Sequence, residues 1–394
     1  MGVLPILRRL VPACAALALL CISPARSFAQ HPTCERNLVR GLQDAWLHSL
    51  AADGPFLLAV DPLALRVVRL SDEGRLTEAF TRLELPGGTT RFAPSLIQGV
   101  GNDGEFLLGN GSDQIFEVVP GASVLRPKGS LPEREFRVVS PVTPLTGKNT
   151  SGSIIGMYGW AATSESSLIA FVDVKRPDGS YASGFAWLDW RNPDSFELIR
   201  EVEPTSPETT FYFVLHPYVA TIGDKGYFLA MEEVPAIYEF DPKRPEERRL
   251  RRLGMPHAFK LRPTLPPNDG TVPMEAFYEA LADATTPYGL YAWSGRLWLL
   301  GHRVLAKGGT EWVLYGIDPT GPNGPARVVS RVYLPTTAEH LALAFGNGAL
   351  NALEKGPVKV LGKQDVQSLL RIPRWMVEEE SSPLTERGAT GACR

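Results

Sequence analysis

The sequence predicts an all-β fold: a closed ring of six small sheets, each an antiparallel meander of four strands, with one short helix in a connection between sheets. Three observations predict it. A marker made of a tight turn and an apolar strand recurs six times, its copies 50, 62, 60, 69 and 53 residues apart. That period is what four short strands and their loops require. The runs between markers are short, aromatic and β-branched, as strands are. Good helical patterns are nearly absent, which excludes parallel α/β folds, since their crossovers need helices.

Taken in order, the marker copies are "DGPFLLAV" at 53–60, "DGEFLLGN" at 103–110, "ESSLIAFV" at 165–172, "DKGYFLAM" at 224–231, "SGRLWLLG" at 294–301 and "GNGALNAL" at 346–353. Phe56, Phe106, Leu168, Phe228, Leu297 and Leu350 are equivalent positions in them. Gly with Asp or Asn at the turn supplies the positive φ that a tight connection needs. Upstream runs such as "SLIQGV", "YVATIG", "GLYAW" and "LALAF" provide the innermost strand of each sheet. Downstream runs such as "LRVVRLS", "IYEFDP" and "LYGIDP", then "LTEAFTRL" at 76–83, "FELIREV" at 196–202 and "ARVVSRVYL" at 326–334, complete the meanders. The one helix is expected at 273–284, where Thr271 caps, Pro273 opens the first turn and Met274, Phe277 and Leu281 share a face.

Over residues 40–373 this period and strand pattern resemble the six-bladed β-propeller superfamily, near its exported Tol-B-like and NHL-like groups. No WD, kelch or YWTD signature accompanies the pattern. The resemblance implies a rigid ring with a central channel and loops at two rims.

Residues 1–29 read as a secretory signal peptide: Arg8 and Arg9 precede an uncharged 14-residue run from Leu10 to Ser23, with small residues at Ser27 and Ala29. The run is too short for a membrane span, so no transmembrane anchor is expected after cleavage. Residues 30–39 form a lead-in and 374–394 a polar tail. Cleavage removes three arginines and takes the formal charge from −3 to −6, a poor balance for nucleic acid. It also removes Cys14 and Cys21, leaving Cys34 and Cys393 at opposite ends of the chain. In an oxidising compartment these two either form a disulfide that clasps the ring or leave a free thiol on the tail.

Candidate functional residues follow from loop lengths. The tight turns join strands one and two and share one rim, whereas the long insertions at 84–95, 131–153, 173–184, 203–217, 253–287 and 302–311 share the other. Function sits on elaborated loops held by a rigid scaffold. His216, His257, His302 and His340 map to that rim, and His216, His340, Glu339 and Arg91 stand at the starts of innermost strands, where side chains line the channel mouth. These four are the candidate ligand-binding residues. No histidine pair has metal-ligand spacing, and neither a metal nor a cofactor is expected. The basic run 242–254 is expected to guard an edge strand. Tyr212, Phe213 and Tyr218 either are exposed anchors for a partner or fill the gap between blades.

The expected function is an exported or periplasmic monomer, without enzymatic activity, that binds a protein, peptide or glycan through the long-loop rim. The alternative is a hydrolase, lactonase or lyase at the channel mouth, with His216 or His340 as acid or base.

Overall fold

A computed structural model describes residues 34–40, 47–85, 88–90, 95–100, 105–109, 115–124, 133–142, 148–149, 152–163, 167–189, 192–202, 218–230, 236–254, 285–304, 310–320, 327–338, 340–346, 348–355 and 367–378. The signal peptide and the helix expected at 273–284 lie outside these residues. So do His216, Glu339, Arg91, Cys393 and most of the tail.

The described chain is almost entirely strand. It begins with β1 (Glu35–Leu38), followed by a meander of β2 (Ser49–Asp53), β3 (Phe56–Asp61), β4 (Arg66–Ser71) and β5 (Leu76–Leu85). After the short β6 (Gly88–Thr90) come β7 (Leu96–Val100), β8 (Glu105–Gly109), β9 (Ile115–Val124) and β10 (Glu133–Val142). The third meander is β11 (Lys148–Asn149), β12 (Gly152–Ala162), β13 (Ser167–Lys175), β14 (Tyr181–Asp189) and β15 (Asn192–Val202). The fourth is β16 (Tyr218–Ile222), β17 (Lys225–Ala230), β18 (Ala236–Phe240) and β19 (Leu250–Gly254). The fifth is β20 (Thr285–Trp293), β21 (Arg296–Val304), β22 (Thr310–Asp318) and β23 (Arg327–Leu334). The chain closes with β24 (His340–Gly346), β25 (Ala349–Lys355) and β26 (Ser368–Pro373), then a short helix, α1 (Arg374–Glu378).

These strands form five sheets, where the repeat predicted six. The second strand order runs β2-β3-β4-β5-β10-β9-β8-β7, so two meanders share one nine-stranded sheet with β6 on its flank. The cause lies at the outer edges. β5 and β10 are ten residues each and run in the same direction, and they pair in parallel from Glu133 opposite Ala79 to Arg137 opposite Glu84. Outer strands of that length carry unpaired amides and carbonyls, which pair with each other instead of with water. The repeat period records turns and cores and is silent about contact between edges.

Innermost strands adjoin around the axis: β24 lies beside β2, β2 beside β7, β7 beside β12, β12 beside β16 and β16 beside β20. The arrangement is a β-propeller of four-stranded antiparallel blades with almost no helix. Each second strand is sandwiched between neighbouring sheets and is buried on both faces, as in β25, where all seven residues are buried. That two-sided burial is why the marker reads as a continuous apolar run instead of an alternating one. In the interface of the third and fourth meanders, Phe185 stacks on Phe228 at 4.2 Å and Phe228 on Tyr238 at 5.2 Å. The turn from β20 to β21 has both central residues at positive φ, Ser294 at 52° and Gly295 at 72°, the form that matches the twist of a two-residue hairpin.

The last sheet is completed by the first strand. β1 pairs antiparallel with β26, giving the order β1-β26-β25-β24. The Arg36 guanidinium grips the Glu354 carboxylate through two bonds of 2.9 Å, and Ser368 donates to the same carboxylate, which is 1 % exposed with its residue. The Gln367 side chain accepts from Leu47 N and donates to Leu47 O. Cys34 is buried and disulfide-bonded. The lead-in thus holds a structural strand. The packed region also passes the expected boundary at 373, because Met376 and Val377 of α1 are fully buried.

Candidate functional site

Innermost strands run from the long-loop rim toward the tight turns, so their first residues and the last residues of each second strand share the long-loop rim. His340 opens β24 and stands opposite Lys355, which ends β25. On the adjoining sheet, Tyr288 lies on β20, and His302 on β21 stands opposite Trp312 of β22. On the other side, His48 precedes β2 with its amide bonded to Val60 O at 2.9 Å, just before Asp61 ends β3. Three sheets therefore send His48, Tyr288, His302, His340 and Lys355 to one part of the rim.

Ring contacts fix this cluster. The Tyr288 hydroxyl and His340 Nδ1 are 2.7 Å apart. Tyr288 meets Trp312 edge to face at 4.7 Å, and the His302 ring lies 4.3 Å from Trp312. Trp312 is fully buried, and its indole N–H donates to Ala338 O at 2.6 Å, which anchors the segment leading into His340. His302 Nε2 is buried with no hydrogen-bond partner.

Burial, reinforced by a charge on His340, pushes the His302 imidazole down to about 4, so it is neutral at physiological pH. His48 is lowered by burial first, then by Lys355 and His340. Burial pulls the Lys355 ammonium down to about 8, although Asp61 works in the opposite direction. Burial also lifts the Tyr288 phenol to about 12, keeping its proton in place. Burial is the main cause of lowering for all three, with His340 adding to it at His48 and His302. Asp61 is itself fully buried and bound to Arg66 at 2.9 Å and to the Ala64 amide at 3.2 Å. Such a cluster offers N–H and O–H donors and a lysine that loses its proton unusually easily. It suits an acceptor-rich ligand. Among the described residues, no three His, Cys, Asp or Glu side chains gather closely enough to hold a metal ion.

Of the candidates read from sequence, His340 belongs to this cluster, while His216, Glu339 and Arg91 lie outside the described residues. His48, Lys355 and Tyr288 carried no sequence argument. The signal for Lys355 is its register: the last residue of every second strand faces the long-loop rim. Of the two readings of Tyr218, the structure shows the filler and not the exposed anchor. It is buried at 3 % exposure and bonds Pro287 O, because as the first residue of β16 it fills the seam between two sheets. Tyr212 and Phe213 lie outside the described residues. The basic run is tied to its own neighbourhood, with Arg251 to Glu239 and Arg249 to Glu197 at 3.1 Å, and Arg244 to Asp241 at 3.2 Å. Among the described residues no helix is long and apolar enough to cross a membrane.

No family model matches the chain. No curated protein matches its sequence either. Among solved structures, the chain is similar to virginiamycin B lyase from Staphylococcus aureus, with 11 % identity over 86 % of this chain and 99 % of that one, TM-score 0.36. It is similar to the PQQ-bound aldose sugar dehydrogenase of Streptomyces coelicolor, with 16 % identity over 86 % and 99 % of the two chains, TM-score 0.36. A member of the DUF4221 family from Bacteroides vulgatus matches at 7 % identity over 86 % and 96 %, TM-score 0.44. Likeness of this depth carries no argument about activity, and the propeller assignment rests on the strand order and closure described above.

Proposed function

We propose that the protein is an exported β-propeller that binds a protein, peptide or glycan through its long-loop rim, with His48, Tyr288, His302, His340 and Lys355 as the anchoring site. The observation that carries the functional reading is the convergence of these five side chains from three sheets, since polar groups gathered on a rigid apolar scaffold are how binding sites are built. His216, Glu339 and Arg91 are proposed as further contributors, and Cys393 as the disulfide partner of Cys34, the other cysteine left once the signal is removed. The mature chain is taken to act as a monomer.

The test is capture of a partner from the cell's own envelope fraction. Wild-type protein should retain a partner that a His340→Ala/Lys355→Met variant loses; equal capture by both removes this site from the proposal.

A second reading, a hydrolase or lyase at the same site, is favoured by one observation. The Lys355 ammonium is lowered to about 8, which brings it closer to the range that suits a base or nucleophile. Turnover of an ester or lactone by the wild type, lost in Lys355→Met, would establish it.

A further inference from the structure

We infer, resting on the binding reading above, that residues 34–40 are a redox-sensitive latch: the Cys34 disulfide holds β1 down, and β1 positions the rim site. The reagent that would release the latch is a dithiol.

This short segment touches three sheets in turn. Cys34 is buried in the core shared by the sheet of β20 and the sheet of β24, which also holds Trp312, Val332, Leu341 and Ile372. β1 pairs with β26. Val39 packs against the next core, between the sheet of β24 and the first meander, which holds Leu70 and Leu369. Arg40 reaches the first meander itself: its amide donates to Gly74 O at 3.0 Å and its carbonyl accepts from Leu76 N at 3.1 Å. These same sheets supply Tyr288 and His302, then His340 and Lys355, then His48.

The latch ends its contacts beside the site residues. Arg36 grips Glu354, the neighbour of Lys355, and also donates to Pro335 O. Pro335 begins the segment that Trp312 holds at Ala338 O before it enters β24 at His340. Val39 N donates to Gln367 O at 3.0 Å, and the Gln367 side chain bonds both backbone groups of Leu47, the residue before His48. Docked or lifted, β1 is the two-state element through which the outer edge bears on the rim.

The noncovalent hold on β1 is slight. It makes four ladder pairs at an outer edge, with Glu35 and Arg36 exposed, and short segments of this kind open locally at low cost. With the disulfide intact, a lifted β1 stays tied at both ends and gains little freedom; once reduced, it is tied only through Arg40. Cys34 is 2 % exposed, so a thiolate reaches its sulfur after β1 has lifted. One thiolate of the dithiol attacks and breaks the S–S bond, and its second thiol resolves the mixed disulfide. Cys34 and its partner gain two electrons and two protons as thiols, and the dithiol leaves as a cyclic disulfide.

The experiment compares the folded, oxidised mature protein with the same sample treated with dithiothreitol. Hydrogen exchange is followed by mass spectrometry, and the ring signals of His48, His302 and His340 by NMR, assigned with single His→Gln variants. Reduction should speed exchange of β1 by about tenfold or more. It should move the three ring signals and leave exchange of β17 and β18 unchanged. Cys34→Ser should reproduce the reduced pattern, and Arg36→Met should speed reduction of the wild-type disulfide. Ring signals that ignore reduction overturn the inference, as does an equal rise of exchange in β17 and β18, which would make the disulfide a global staple. Partner capture that depends on His340 and Lys355 but ignores dithiothreitol would leave the binding reading standing without the latch. Ring signals that move in a protein whose capture ignores those two residues would leave the latch without the binding reading.

Discussion

The Tyr288 hydroxyl and His340 Nδ1, 2.7 Å apart, join the sheet of β20 to the sheet of β24 at the rim. With its phenol held at about 12, Tyr288 keeps its proton, and where it donates to Nδ1 of a neutral His340 the imidazole proton sits on Nε2. Tyr288→Phe should release that tautomer, visible in the nitrogen shifts of His340. It should cost about 1 kcal/mol of unfolding free energy, the worth of one hydrogen bond.

His302 should make the protein sensitive to acid. Its folded value, about 4, lies below the usual 6.5, so the unfolded chain binds the proton more readily. No penalty exists above pH 6.5; it grows as pH falls to 4 and is constant below. His302→Leu should remove up to about 2–3 kcal/mol of that acid-induced loss, read from urea unfolding at pH 7 and pH 4.

Lys355 should carry a stability cost that depends on pH. With a folded value of about 8 against 10.5, its penalty is full below pH 8 and fades as pH rises to 10.5. Lys355→Met should therefore stabilise the protein at pH 7 by about 1–3 kcal/mol, and the gain should shrink by pH 10. Urea midpoints at the two pH values check this.

The grip of Arg36 on Glu354 should govern closure of the ring. Arg36→Met leaves a buried carboxylate with Ser368 as its donor among the described residues, and should cost about 2–3 kcal/mol. Adding Glu354→Gln should restore most of the loss, since the uncompensated charge is gone. Hydrogen exchange at β1 reports opening of this seam ahead of global unfolding.

The six markers were legible because second strands are buried on both faces, as the fully buried run Leu57 to Asp61 illustrates. The sheet count was not, because the parallel pairing of β5 with β10 is made by the backbone and leaves no side-chain pattern. His340 was legible as a histidine at a strand start. Lys355 was hidden because a lysine at the end of an apolar strand reads as an ordinary solvated terminus. His48 precedes the first marker, where no earlier copy exists to align it. Tyr218 had two readings because an aromatic beside a loop looks the same exposed or buried until the neighbouring sheet is placed over it.

The pairing of β1 with β26 has a consequence for biogenesis. Arg36 and Glu354 are 318 positions apart, so the earliest-made strand has no mate until nearly the whole chain has emerged. Closing so long a loop adds little free energy, about 0.6 kcal/mol per doubling of length, and the burden is one of waiting time. During that wait β1 has no partner strand, the state in which a nascent chain is most prone to stick to another copy. Losing either terminus would leave the same gap, so proteases that nibble from opposite ends converge on one weak point.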